Sequence, residues 1–252
     1  MKKIFTKLKN FVCKILFPEE IKCIFCGKDI PDFENQPYCQ DCEKTLPFNN
    51  SEKRCKICDM EIAGESEVCD ICKNHHKSFD KTRAVFKYEG IVRKRIINLK
   101  SDKQTYLAKP LASLMAKALP EDMKNFDVII PIPLSEKSFK KRGYNQSELL
   151  AIEIQKHFQK PLLTNVLIKD KDTKAQKNLS FKERQENMVG VFKIKNRKLI
   201  KDKTILLVDD VMTTSATTNV ASDILKKFAK KVYVLTIARK TITLDKPKQK
   251  LK

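Results

Sequence analysis

The sequence lacks any apolar run near the roughly 20 residues that a bilayer-spanning helix needs, so no integral membrane segment is expected. It also lacks the Gly-x4-Gly-Lys motif, which excludes a P-loop nucleotide site. No internal repeat is visible apart from a cysteine spacing. A signal-peptide cleavage site is missing too. The apolar stretch of the first 20 residues is broken by Lys7, Lys9 and Lys14, and no small-residue site follows. A cytoplasmic location is therefore expected. Acids are scarce: 31 Asp and Glu stand against 52 Lys and Arg, a formal charge of +21. Arginine is scarce as well, at eight of those 52. Such a balance suits nucleic acid, anionic surfaces or phosphorylated ligands. Dispersed lysine equally suits a solvated face, and charge alone leaves both readings level.

What is present begins with a basic N-terminal stretch. Ile4, Phe5, Leu8, Phe11, Val12, Ile15 and Leu16 fall at helical spacing over residues 1–20. The stripe is expected to pack on the protein's own core. Peripheral contact with the inner membrane is the alternative such a basic amphipathic helix leaves open.

Eight of the nine cysteines form four CxxC pairs: Cys23 and Cys26, Cys39 and Cys42, Cys55 and Cys58, Cys69 and Cys72. The ninth, Cys13, reads as a small hydrophobe in the N-terminal stripe. In a reducing compartment, repeated CxxC points to metal rather than to disulfides. Two intervening residues make a tight knuckle that turns both sulfurs toward one ion. Two knuckles close the tetrahedral four-sulfur site that structural zinc prefers. Two zinc ions with sequential ligands, one per set of four, is the first choice. Interleaved pairing stays open. Iron–sulfur clusters also take four cysteines, but evenly paired knuckles match zinc ribbons better.

From residue 79 the pattern becomes α/β. Strands are expected over 83–88, 127–133, 204–208 and 231–237, and helices over 91–99, 106–119, 144–158 and 217–228. Alternating strands and helices argue for a parallel sheet flanked by helices. The implied organisation is a helix over 1–20, a double zinc ribbon over 21–78, an α/β domain over 79–240 and a tail over 241–252. Residues 169–178 read as a polar loop.

The most informative segment is TILLVDDVMTTSATTNVASDILKKF. A buried strand ends in Asp209 and Asp210, a loop of small residues follows, and a helix begins. Ligands of open α/β sheets sit at the carboxyl ends of strands, and a helix N-terminus is an anion site. Thr213, Thr214, Ser215, Ala216 and Thr217 can offer hydroxyl and backbone donors to a phosphate. The two carboxylates can accept from ribose hydroxyls. Adjacent acids at a buried strand end are unfavourable without such a role. The alternative is an ordinary strand–loop–helix capped at Thr217.

LLVDDVMTTSAT resembles the 5-phosphoribosyl-1-pyrophosphate (PRPP) motif of type I phosphoribosyltransferases. With LFPEEIKCIFCG, FDKTRAVFKYEGIVRKRIINLKSDKQ, IIPIPLSEKSFKKRGYNQSELLA and the series Gln176, Leu179, Arg184 and Asn187, nearly the whole chain resembles the ComF family of bacterial competence proteins. The resemblance implies a type I phosphoribosyltransferase fold behind a double zinc ribbon, and a role in DNA uptake during natural transformation. It implies PRPP held by Asp209, Asp210 and residues 213–217, with magnesium on the pyrophosphate. Lys100 and Ser101, at the start of the 100–103 loop, stand where such proteins bind pyrophosphate. Ser101 and Asp102 replace the aromatic or glycine residues frequent there. Arg142, Gly143, Tyr144, Asn145 and Gln146 match a mobile RGYNQ loop for an acceptor or nucleic acid. Asp209, Asp210 and Arg142 are the catalytic candidates. Arg142 is a forked donor for phosphate or carboxylate. Tyr144 offers a stacking face, with inward packing as the alternative.

Two departures bear on the chemistry. Ser215 stands where the family usually has glycine, and a serine fits readily only at negative φ. Thr213 stands where purine-salvage members carry a catalytic aspartate, which argues against a purine acceptor. Three functions compete: a phosphoribosyltransferase of unassigned acceptor, a non-catalytic single-stranded DNA-binding protein, and a PRPP-sensing regulator. Partners would be PRPP, single-stranded DNA, and a competence helicase or recombination proteins.

Overall fold

Short apolar runs in the sequence become parallel strands, and the computed structural model describes them within residues 22–30, 36–62, 64–170 and 190–241. The expected helix over 1–20, Cys13, residues 171–178 of the polar loop, Leu179, Arg184, Asn187 and the tail beyond 241 lie outside the described residues.

Contacts divide the chain into two compact units, residues 1–46 and 47–252. The first holds one four-cysteine set and helix α1 (Gln40–Thr45). The second opens with the other four-cysteine set and helix α2 (Asp70–Asn74). It continues through β1 (Lys81–Lys87), α3 (Gly90–Ser101), α4 (Ala108–Ala118), α5 (Glu121–Lys124), β2 (Val128–Pro131), α6 (Glu136–Arg142) and α7 (Gln146–Phe158). Then come β3 (Leu167–Lys169), β4 (Phe192–Ile194), β5 (Thr204–Met212), α8 (Ala216–Lys226) and β6 (Lys231–Arg239). Four strands form a sheet in the order β1-β6-β5-β2, every pairing parallel. Strands β3 and β4 pair separately as an antiparallel ribbon. The fold class is α/β, a parallel sheet flanked by helices with cysteine clusters N-terminal to it in the chain, consistent with a phosphoribosyltransferase-like fold.

Helix positions follow from sequence chemistry. Helix α4 buries Leu111, Leu114 and Met115, an i, i+3, i+4 stripe, and stops where Pro120 follows Leu119. Helix α6 escaped the sequence reading for a physical reason. It buries no residue, so EKSFKKR carries no amphipathic signal. Its ends are nevertheless defined. The Ser135 hydroxyl accepts from the Ser138 backbone N–H, and Gly143 closes it at φ 83° in the left-handed region that favours glycine. Strand β5 runs through Met212, four residues past the expected end, so the acid pair lies inside the strand ladder.

Inside the second unit, the second four-cysteine set belongs to the sheet's core. Cys55, Cys58, Cys69 and Cys72 are buried in one cluster with Val128 and Ile130 of β2, Ile205 and Leu207 of β5, and Ala221 and Leu225 of α8. Asp59 anchors this knuckle to the edge strand. It is buried and accepts from the Ala84 backbone N–H at 2.8 Å, the Asn49 amide at 2.8 Å and the Arg54 guanidinium at 2.9 Å. Residues 47–49 cover the free edge of β1, through Asn49 N–H to Val85 O at 2.9 Å and Lys87 N–H to Pro47 O at 2.7 Å.

This burial yields a differential prediction. Cys58→Ser should destabilise the second unit by on the order of 3 kcal/mol or more, because a structural metal contributes its binding energy to folding. Cys26→Ser should leave the sheet's melting unchanged. Thermal melts followed by circular dichroism distinguish the two. Equal effects of both variants would contradict the shared core.

Candidate functional site

The acid pair sits where β5 nears its end. Asp209 and Asp210 are both buried. Asp209 Oδ1 accepts from the Ser147 hydroxyl at 2.9 Å and from the Asp210 backbone N–H at 2.9 Å. Asp210 Oδ2 pairs with Lys100 Nζ at 2.9 Å. Burial, then the neighbouring Asp210 charge, raises the Asp209 pKa from 3.8 to about 7, while Lys100 works the other way. Burial opposes the charge on Lys100, but the Asp210 and Asp209 carboxylates outweigh it and hold its pKa above the usual lysine value.

Three elements converge on this pair. Helix α3 delivers Lys100 from its last turn. The N-terminus of α7 delivers Ser147, which is fully buried. The segment after β2 ties the start of α7 to the strand: Ile132 N–H donates to Val208 O at 2.9 Å, and the Asn145 amide donates to Ile132 O at 3.0 Å. Asn145 also caps α7, accepting from the Ser147 N–H at 3.1 Å. The expected RGYNQ loop is therefore a helix–helix junction fastened to β5. Within it, Arg142 donates to the Gln146 side chain. Tyr144 is half-buried and its hydroxyl donates to Leu99 O, next to Lys100. Ser101 ends α3 exposed to solvent.

Sequence reasoning did not single out Ser147. Its signal was its place two residues after an N-cap asparagine, which fixes its backbone but says nothing of where its hydroxyl points.

The loop after β5 has an unusual backbone. Ser215 is at φ 61°, ψ 9°, in the left-handed region, where a negative φ was expected for a serine. Its hydroxyl bonds locally to Thr214 O at 2.5 Å, and it precedes α8 without a side-chain cap. The first-turn N–H groups of α8 are thus left for another acceptor. Helix α8 begins at Ala216, so Thr217 lies inside the helix rather than capping it. Thr214 is buried, and its hydroxyl has no hydrogen-bond partner among the described residues. A buried unpaired hydroxyl is unfavourable by about 1–3 kcal/mol. Together with the N–H groups, it describes a cradle for an anion.

The two four-cysteine sets are built alike. In the first, Gly27 N–H donates to Cys23 O at 2.9 Å and Cys23 N–H to Lys28 O at 2.7 Å. In the second, Asp59 N–H donates to Cys55 O at 2.9 Å and Cys55 N–H to Met60 O at 2.7 Å. Gly27 and Asp59 both take positive φ, at 82° and 58°. The ligand sulfurs within each set lie within 4.8 Å of one another, grouped in sequence order. Neighbouring sulfurs stand 3.6–3.7 Å apart. Zinc–sulfur bonds of about 2.3 Å in a tetrahedron place sulfurs about 3.8 Å apart, so both sets fit structural zinc.

The chain matches no protein-family model. Among curated proteins it is 28% identical over 225 residues to Competence protein F of Haemophilus influenzae, covering 86% of this chain and 96% of that protein. It is 27% identical over 233 residues to Competence protein ComFC of Streptococcus pneumoniae, covering 87% of this chain and all of that protein. It is 23% identical over 191 residues to the DNA utilization protein YhgH of Shigella flexneri, covering 73% of this chain and 83% of that protein. No described helix is long and apolar enough to cross a membrane.

The raised pKa of Asp209 has a stability consequence. Between about pH 4 and 7 the folded state holds a proton that the unfolded state has released, so stability falls as pH rises through that window. Asp209→Asn keeps an acceptor oxygen for Ser147 and removes the charge. It should flatten that slope and stabilise the protein above pH 7 by on the order of 1 kcal/mol. Asp210→Asn should lower stability instead, because Lys100 loses its partner. That reverses the expectation from paired-acid repulsion alone. Denaturant melts across pH test both variants.

Proposed function

We propose that this ComF-family protein binds 5-phosphoribosyl-1-pyrophosphate at the β5–α8 loop and acts in the uptake or use of DNA. The observation that carries the ligand assignment is the combination at one strand end of two buried carboxylates with a buried, unpartnered hydroxyl and an uncapped helix N-terminus. A group with hydroxyls at one end and a phosphate at the other matches both halves. Asp209 and Asp210 accept from the ribose hydroxyls. Thr214, Thr217 and the α8 N–H groups donate to the 5-phosphate. Lys100 lies beside the carboxylates and exchanges one of them for the pyrophosphate. Magnesium bound with the pyrophosphate would offset part of its charge. If transfer occurs, donors that stabilise the departing pyrophosphate assist as positive charge develops at ribose C1. The acceptor is unassigned, and Thr213 supplies no general base for a purine.

The DNA part of the proposal rests on the names of the relatives and on the charge of +21. It supports a second reading, in which the same scaffold binds single-stranded DNA without catalysis. Two structural zinc ions complete the protein in either reading, and a reducing cytoplasm is the compartment that suits their thiolate ligands.

Calorimetry with PRPP and magnesium tests the ligand assignment. Wild type should bind, Asp210→Asn should lose binding, and Thr214→Val should weaken it by about 1–3 kcal/mol. Ser215 already adopts a backbone that glycine favours, so Ser215→Gly should bind at least as tightly. Absence of binding in both wild type and Ser215→Gly would contradict the assignment and leave the scaffold reading.

A further inference from the structure

The amino-terminal ends of β5 and β6 carry a feature that the phosphate loop does not use. Residues 193–203 hold six cations and one acid, Asp202. Lys193 is neutralised by Asp170 at 2.7 Å, but Lys195, Arg197, Lys198, Lys201 and Lys203 stand exposed. The turn between α8 and β6 adds exposed Lys227, Lys230 and Lys231, while Lys226 is paired with Asp80 at 2.9 Å. The two segments form one surface, because Asp202 N–H donates to Phe228 O and Lys230 N–H to Lys203 O, both at 2.9 Å. An open groove of about 480 Å³ lies in it, lined by Ile194, Asn196, Arg197, Lys198 and Phe228. The Arg197 guanidinium sits over the Phe228 ring, 5.8 Å from its centroid, and Leu199 beside it is 45% exposed.

Net charge alone would scatter lysines over every face. Here the cations surround a concave patch with an aromatic floor. Backbone phosphates are attracted by the cations and release counterions on contact. A flat base finds a guanidinium plane already supported by an aromatic ring, an arrangement on which unstacked bases pack. Duplex DNA hides its base faces, whereas an unpaired strand can lay a base against the Arg197–Phe228 pair. We infer that the groove around Arg197, Lys198 and Phe228 is a binding surface for single-stranded nucleic acid. It rests on the DNA part of the proposed function and adds the place where the strand binds.

The location has a consequence. Strand β5 has nine residues, Thr204–Met212, so this surface and the phosphate loop lie at opposite ends of it, about 26 Å apart. The two ligands therefore bind without competing, and neither Arg142 nor Tyr144 contributes to the strand's affinity.

Fluorescence anisotropy of a labelled oligothymidylate against the full-length, zinc-loaded protein tests this at several salt concentrations. The double variant Arg197→Gln/Lys198→Gln should weaken binding at least tenfold at low salt. It should also reduce the slope of log affinity against log salt by about 1.4, or about 0.7 for each phosphate contact removed. Phe228→Leu keeps an apolar floor and should weaken binding roughly fivefold or more with the salt slope unchanged. PRPP with magnesium should leave wild-type affinity unchanged. If wild type binds no oligonucleotide at low salt, the DNA reading itself fails. If wild type binds and the double variant binds equally with an unaltered slope, the groove is not the site. If the double variant loses binding to anionic vesicles but keeps the oligonucleotide, the groove is a membrane contact and the inference is overturned.

Discussion

Two carboxylates side by side in a buried strand end are the constraint around which the second unit is arranged. Asp209 and Asp210 cannot both be charged and buried without compensation. The fold compensates from two sides. Lys100 brings a cation to Asp210 from the last turn of α3, and Ser147 brings a hydroxyl to Asp209 from the first turn of α7. Asn145 and Tyr144 then fasten the α6–α7 junction to the same place, through Ile132 O and Leu99 O. The result is a polar centre whose members come from α3, α7 and β5. The loop leading into α8 adds the buried Thr214 hydroxyl, which has no partner among the described residues.

The second four-cysteine set braces the same sheet. Its sulfurs are buried with residues of β2, β5, β6 and α8, and Asp59 joins its knuckle to β1. Arg239, buried at the end of β6, donates to Met212 Sδ, and its positive charge acts on Cys58 and Asp59. Met212 is two residues past Asp210 on β5. Cysteine cluster, strand ends and acid pair are therefore linked by a short run of buried contacts. The first four-cysteine set repeats the local knuckle geometry but belongs to the other compact unit.

Much of this was legible in the sequence. Apolar runs such as TILLV and KVYVLTI gave strands close to where they occur, and the CxxC spacing gave both ligand sets in order. The acid pair and its loop marked the candidate site. What stayed hidden has physical causes. Strands β3 and β4 are three residues each, too short for any period. Helix α6 has no buried face. Like spacing groups the two cysteine sets in the sequence, whereas burial groups the second with the sheet. A left-handed Ser215 has no signature in residue type. The partnership of Lys100 and Ser147 with the acids spans sequence separations that only folding closes.

The account's central claim is that the acid pair is held for a ligand with hydroxyl donors. A carboxylate accepts such donors better than a carboxylic acid does. The most direct measurement is the pH dependence of PRPP affinity in wild type and in Asp209→Asn. The account predicts that wild-type affinity rises as pH passes upward through about 7, the raised pKa of Asp209, and that the variant shows only the ligand's own ionisation. Identical pH profiles for the two proteins would contradict it.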